Sequence, residues 1–172
     1  MNTDARTEQH IRAAEGWIEL GDFLSAYEEL EQLSSRERAR PDVLKLRWRI
    51  FNQANKHEMA FSVAEGLTRL LPDDAEVFAW RSYSARRMPT GGIESALALL
   101  LDAINDFPDE PLLPFTLACY NCQIGKMAEA RSWLDTALEV AERNGTEKHW
   151  KLTALDEKDL EPLWPEIGLL PK

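Results

Sequence analysis

The sequence has few cysteines, fewer basic than acidic residues and no long apolar segment. Only Cys119 and Cys122 occur among 172 residues, which excludes a disulfide-stabilised mini-protein and predicts a reducing compartment, the cytoplasm. The 20 Lys and Arg are outnumbered by 30 Asp and Glu, and the net charge is −10. A negative field repels phosphate groups, so we expect neither nucleic acid nor an anionic membrane surface as the main ligand.

Signals for export and for membrane insertion are also missing from the sequence. Residues 1–20 mix both charge signs and contain no apolar core of a signal peptide. The longest uncharged stretch, Pro111–Ile124, contains two prolines and several polar residues, and its 14 residues are too few to cross a bilayer. Hydrophobic residues at 44% and charged residues at 29% are typical of a folded globular chain of about one domain.

Four similar segments recur along the chain. They begin at Gly21, Asn55, Gly91 and Gly125, which are 34, 36 and 34 positions apart, and each has alanine five residues later. Glycine and asparagine tolerate the positive φ of a tight turn, and alanine lets two helices pack closely. The recurrence therefore predicts helix-turn-helix units repeated about every 34 residues.

The second helix of each unit carries an apolar stripe at the second, fifth, ninth and twelfth positions after the turn residue. Fifteen of these 16 residues are apolar, and their spacing predicts one buried face of an α-helix. The tryptophans at helical phases are likewise expected in the core. The stripe comprises Phe23, Ala26, Leu30, Leu33, His57, Ala60, Ala64, Leu67, Ile93, Ala96, Leu100, Ala103, Met127, Ala130, Leu134 and Ala137; the tryptophans are Trp17, Trp48, Trp80 and Trp133.

Proline-aspartate pairs at residues 41–42, 72–73 and 108–109 fall between the units. Proline ends one helix and aspartate can cap the next one. Asp73 and Glu76 have the spacing of a capping box, so Asp73 is the predicted cap of the helix that follows.

The turn residues, the alanines and a small residue seven positions before the turn (Ala14, Ser84 and Ala118) together resemble the tetratricopeptide repeat, and residues 117–130 match it most clearly. Trp48 departs from the pattern because it stands at the small site of the second unit. The resemblance implies an all-α, right-handed α-solenoid of about four TPR repeats with a C-terminal capping segment. The predicted repeats cover about 7–40, 41–74, 75–110 and 111–144 within a domain of residues 1–145, and the cap covers 146–172.

The first helices of TPR repeats line a concave groove, and those of the second and third repeats carry the candidate ligand-binding residues. These residues resemble the clamp with which some TPR domains hold an acidic peptide or a C-terminal carboxylate. Ordinary solvated charges with internal salt bridges are the alternative interpretation. The candidates are Lys45, Arg49, Asn52 and Gln53 on one helix face, and Tyr83, Arg86 and Arg87 in the next repeat.

The corresponding face of the fourth repeat is apolar, with Leu112, Phe115, Cys119 and Cys122. We expect the tail of the chain, through Leu163 and Trp164, to cover it; a helix of a partner protein is the alternative.

No catalytic constellation is visible, and we predict a protein that is not an enzyme and needs no cofactor or metal. The three histidines lie far apart in the repeat, and no phosphate-binding loop or nucleophile motif occurs. Cys119-x-x-Cys122 lacks nearby cations and a helix N-terminus, so packing is favoured over redox or metal chemistry.

The predicted function is a non-catalytic adaptor that binds a peptide or helix of another protein in the concave groove. Three alternatives remain open: a chaperone-like TPR protein that holds a secreted or assembly client, a thiol-dependent redox protein that uses Cys119 and Cys122, and a spacer within a homo-oligomer.

Overall fold

The structure is a computed structural model that describes residues 3–167, and every regular element in that range is helical. No helix in that range is long and apolar enough to cross a membrane. Residues 168–172 of the predicted cap lie outside the described range. The helices are α1 (Thr3–Glu19), α2 (Phe23–Glu31), α3 (Ser35–Arg38), α4 (Pro41–Gln53), α5 (His57–Leu70), α6 (Ala75–Arg87), α7 (Ile93–Ala103), α8 (Leu112–Gln123), α9 (Met127–Arg143), α10 (Glu147–Asp156) and α11 (Trp164–Ile167), with 3₁₀ segments at Ile104–Asp106 and Lys158–Leu163.

The chain forms two compact units, Met1–Gly92 and Ile93–Lys172. Each predicted repeat contains one pair of long helices, but the third pair is divided, with α6 in the first unit and α7 in the second. The separation of a repeat domain at 1–145 from a cap at 146–172 stays a prediction.

In the first unit the long helices pack in chain order: α1 on α2, α2 on α4, α4 on α5, and α5 on α6. The predicted stripe forms the contact, because the side chains of Ala26, Leu30, Ala60, Ala64 and Leu67 are completely buried. Each hairpin thus buries its apolar face against the next hairpin, which it could not do alone.

Trp48 is buried as expected, with 8% of its surface exposed, whereas the expectation for Trp17 is wrong. Trp17 is 37% exposed and lines a shallow groove between α1 and α2 together with polar side chains. Its helical phase places it on the flank of α1 that faces this groove rather than the unit core.

In the second unit α8 packs on α9, and the 3₁₀ segment Lys158–Leu163 packs on α8. Leu160 and Leu163 are 0% and 1% exposed, so the tail buries its own apolar residues in this contact. The tail is also fixed by polar bonds. The Trp164 indole donates to the Ala154 carbonyl at 2.9 Å, and Arg131 forms an ion pair with Glu166 at 2.7 Å.

The backbone conformation of the turn residue agrees with the predicted repeat at three of the four turns. Gly21, Asn55 and Gly125 have φ values of 75°, 56° and 76°. In the third repeat the left-handed residue is Gly92, with φ 132°, and not the predicted Gly91. Gly91 is needed for another reason, since a Cβ atom there would lie 1.9 Å from the carbonyl oxygen of Ala85.

The helix cap at the start of the third repeat also differs from the expectation. Asp74, and not Asp73, is the N-cap of α6, and its carboxylate accepts a hydrogen bond from the Glu76 amide at 3.1 Å. The carboxylate one residue further along the chain reaches the free amides of the first turn, so the helix begins at Ala75.

The two glycines Gly66 and Gly91 predict opposite effects of the same substitution. Gly91→Ala should lower the free energy of unfolding by about 1–3 kcal/mol because the new methyl group would overlap a backbone carbonyl. Gly66→Ala should raise it by about 0.5–1 kcal/mol, because Gly66 lies inside α5 with no atom within 4 Å of the added methyl. Urea denaturation followed by circular dichroism measures both, and equal effects would contradict the assignment of Gly91.

Candidate peptide-binding face of α4 and α6

The candidate site of the first unit is built on a pair of stacked indoles. The rings of Trp48 on α4 and Trp80 on α6 lie 4.2 Å apart with an interplanar angle of 3°. Tyr83, one turn after Trp80, meets the Trp48 ring edge-on at 6.5 Å. These three rings form the cluster that we call the aromatic floor, in which Trp48 is buried and Trp80 and Tyr83 are half-buried.

Hydrogen bonds hold the aromatic floor in place. The Trp48 indole donates to the Ser84 hydroxyl at 3.0 Å, and this hydroxyl donates to the Trp80 carbonyl at 2.9 Å. Ser84 is completely buried. A buried indole N–H needs such an acceptor, so the small residue of the third repeat supports the large residue that the second repeat has at the same position.

Lys45 is one of the predicted binding cations, but it is engaged within the protein. Its ammonium group lies 2.6 Å from an oxygen of Asp74 and 4.0 Å from one of Glu76. It also lies 5.8 Å from the centre of the Trp80 ring. Lys45 therefore connects α4 to the start of α6, and its charge is largely compensated.

The three arginines of the predicted set differ in their surroundings. Arg49 is exposed, and its side chain forms no hydrogen bond or ion pair with the residues that the structure describes. Arg87 is exposed and lies over the ring of Tyr83, at 3.9 Å from the ring centre. Arg86 is half-buried and already interacts within the protein. Arg49 and Arg87 are therefore the cations most accessible to a ligand.

The two predicted amides lie on α4 beyond Trp48. Gln53 is exposed, whereas Asn52 is half-buried, and its side-chain oxygen has no hydrogen-bond partner. An amide oxygen without a partner leaves a hydrogen bond unmade, which is costly in a folded chain. Asn52 shares its helix face with Lys45 and Trp48 by the helical repeat.

His57 at the start of α5 is the one polar residue of the predicted apolar stripe, and it lies near enough to Arg87 for their charges to interact. Burial lowers the pKa of its imidazole, and the positive charge of Arg87 lowers it further. The neutral imidazole that results leaves Arg87 without a competing charge from this side.

The structure thus brings Lys45, Tyr83 and Arg87 together around the aromatic floor. Trp48 and Trp80 were expected only as core residues. Their stacking could have been suspected from the bulky Trp48 at a position where the other repeats have Ala or Ser.

The corresponding face of the fourth repeat is covered by the chain's own tail, as expected. Cys119 and Cys122 are 6% and 7% exposed, and the packed 3₁₀ segment includes the buried Leu163. Phe115 contacts Trp150 of α10, with ring centres 5.0 Å apart. Trp164 is half-buried.

The surroundings of both thiols disfavour the thiolate form that a nucleophilic cysteine needs. Burial raises the pKa of the Cys119 thiol, and the nearby carboxylates of Glu157 and Asp159 raise it further. Burial and Asp159 also raise the pKa of Cys122. Among the described residues, no group of three or more His, Cys, Asp and Glu side chains could hold a metal ion.

Both thiols should therefore react slowly in the folded protein. We expect alkylation of each thiol by iodoacetamide at neutral pH to be slower than in guanidinium, because a raised pKa lowers the thiolate fraction and burial limits access of the reagent. Cys119→Ala and Cys122→Ala let mass spectrometry follow each remaining thiol alone. A native rate equal to the denatured rate would contradict the burial of that thiol.

Comparison with known proteins identifies the fold but no close relative. No protein family and no curated protein matches the sequence. The MamA RS-1 ArsTM double mutant is structurally similar, with a TM-score of 0.64 at 14% identity over 84% of this chain and 79% of that chain. MamA AMB-1 gives a TM-score of 0.56 at 16% identity over 98% and 100%. MamA has a TPR-like fold, and the predicted all-α class of TPR-like α-solenoids is thereby confirmed.

Proposed function

We propose that this chain is a TPR protein that serves as a non-catalytic interaction scaffold. Its ligand is an acidic peptide of another protein, bound across the face of α4 and α6. The observation that carries the proposal is the exposed, unpartnered Arg49 on the helix that also presents the Trp48–Trp80 stack. The TPR-like fold supports a scaffold, since hairpin repeats commonly use their extended surfaces for binding.

Each group on this face has a part in the proposed binding. Arg49 receives a carboxylate of the peptide, and guanidinium-carboxylate bonds are among the strong polar contacts of proteins. Arg87, held over Tyr83 at 3.9 Å, supplies a second cation in a fixed position. Asn52 and Gln53 can bond the peptide backbone, which favours an extended ligand. Lys45 acts indirectly, by holding α6 through Asp74.

The charge of the whole protein restricts the ligand further. A net charge of −10 does not attract acidic partners from a distance, so recognition depends on the local cations. The carboxylates of the peptide are therefore expected close together, near Arg49 and Arg87.

Charge reversal at Arg49 tests this site. A library of soluble peptides with free C-terminal carboxylates is selected on the wild-type protein, and dissociation constants are measured by fluorescence polarisation. We expect acidic peptides to be enriched, and Arg49→Glu to weaken their binding by about tenfold or more, since a charged hydrogen bond contributes roughly 1.5–3 kcal/mol.

Arg69→Glu is the matched control, because Arg69 lies on α5 with a side chain 73% exposed and carries the same change of charge. It should leave the dissociation constants within about twofold. Enrichment of peptides without acidic residues, or equal losses in both variants, would refute the proposed site.

A further inference from the structure

A second surface of the first unit is apolar and open. A cavity of about 390 Å³ lies between α2, α4 and α5. It opens on the side of α4 away from Lys45, because Ala54, which lines it, follows Lys45 by nine residues, or two and a half helical turns. We call this surface the α2–α4 groove. Its apolar lining includes Phe23, Leu24, Tyr27, Phe51, Ala54 and Met59.

The repeat itself does not require the two exposed apolar side chains of the groove, Leu24 and Met59. Leu24 is 68% exposed and Met59 is 48% exposed. The positions equivalent to Leu24 in the other repeats hold Glu, Glu and Ala, and those equivalent to Met59 hold Ser, Ser and Glu. Exposed apolar groups beside an open groove indicate a surface that is covered by another molecule.

The residues that line the groove indicate the backbone conformation of the partner segment that covers it. Of the eight lining residues only Tyr27 and Lys56 carry a polar side-chain group, so the groove offers almost nothing to bond a peptide backbone. An extended peptide would leave its own N–H and C=O groups unpaired there, whereas a helix satisfies them internally. The occupant is therefore a helix with an apolar stripe.

The positive charge of Lys56 at the edge of the groove favours a partner with a negative charge. The ammonium group of Lys56 forms no ion pair or hydrogen bond with any residue in the described part of the chain. A helix that places apolar side chains in the groove and a carboxylate beside Lys56 would complement both features.

Helix α10 of this same sequence has these features on its exposed side. Leu152 and Leu155, one turn apart, are 59% and 40% exposed. Asp156 follows on the same face, is exposed, and has no ion pair among the residues described. The two leucines can fill the apolar α2–α4 groove, and the adjacent carboxylate can pair with Lys56 at its edge.

We propose that the α2–α4 groove binds helix α10 of a second copy of this chain, with Leu152 and Leu155 in the groove and Asp156 beside Lys56. The two surfaces are different patches, so the contact is heterologous and each copy can bind two others. The protein then forms a concentration-dependent series of oligomers. This contact is independent of the peptide site on α4 and α6.

Charge reversal of either partner tests the contact by sedimentation velocity over a wide range of protein concentration. The wild type should show a sedimentation coefficient that rises with concentration. Lys56→Glu and Asp156→Lys should each abolish the rise, because each places like charges opposite one another. Both variants should fold, since each puts a favourable charge at its helix end; circular dichroism checks this.

Mixing the two variants is the decisive step. The Lys56→Glu protein keeps a normal α10, and the Asp156→Lys protein keeps a normal groove, so the mixture should regain association that neither shows alone. Leu152→Glu should abolish association, while Leu70→Glu, at a leucine 52% exposed on α5, should retain it. A wild type that stays monomeric at every concentration, or a mixture that behaves like its components, would overturn the proposal.

Discussion

The close approach of two paired helices at a buried alanine, as in α1–α2, α4–α5 and α8–α9, is the contact on which the fold depends. Ala26, Ala60, Ala96 and Ala130 occur five residues after each turn residue, and all four are completely buried. A methyl side chain lets two helix backbones approach closely, so that the larger side chains on either side can interdigitate. A larger residue at Ala26, Ala60 or Ala130 would separate the two helices of that hairpin and leave its apolar stripe partly uncovered.

Trp48 shows what happens when the small-residue pattern is broken elsewhere. It occupies a site where the other repeats have Ala or Ser, whose side chains are much smaller than an indole. The ring instead reaches the next first helix, where it stacks on Trp80 at 4.2 Å and bonds Ser84. The aromatic floor of the proposed peptide site is thus a consequence of one departure from the repeat.

Periodicity made most of the fold predictable, because a stripe recurring four times constrains both helix boundaries and burial. All the stripe positions five, nine and twelve residues after the turns are buried, and the positions two residues after them are half-buried. The shift of the left-handed residue from Gly91 to Gly92 was not predictable from an alignment of turns. The spacing before Gly91 is 36 residues instead of 34, and the two extra residues change the path of the chain before α7.

The contacts of the candidate cations were less predictable. The pairing of Lys45 with Asp74 spans 29 residues, and a single sequence does not reveal such a pair. The sequence could therefore place the candidate residues on α4 and α6 as a set of helix positions, but it could not show which of their cations remain available to a ligand.

The two faces of α4 differ in polar groups, and this difference determines what each can bind. The face with Asn52 and Arg49 carries amide and guanidinium groups, which can replace the water around an extended backbone and its carboxylates. The face with Phe51 and Ala54 opens into an apolar groove, where only a chain that has already satisfied its backbone bonds can lie without loss. One helix thus separates the proposed site for an extended peptide of another protein from the proposed site for a helix. Because the two ligands contact different residues, a charge change at Arg49 and a charge change at Lys56 should act independently.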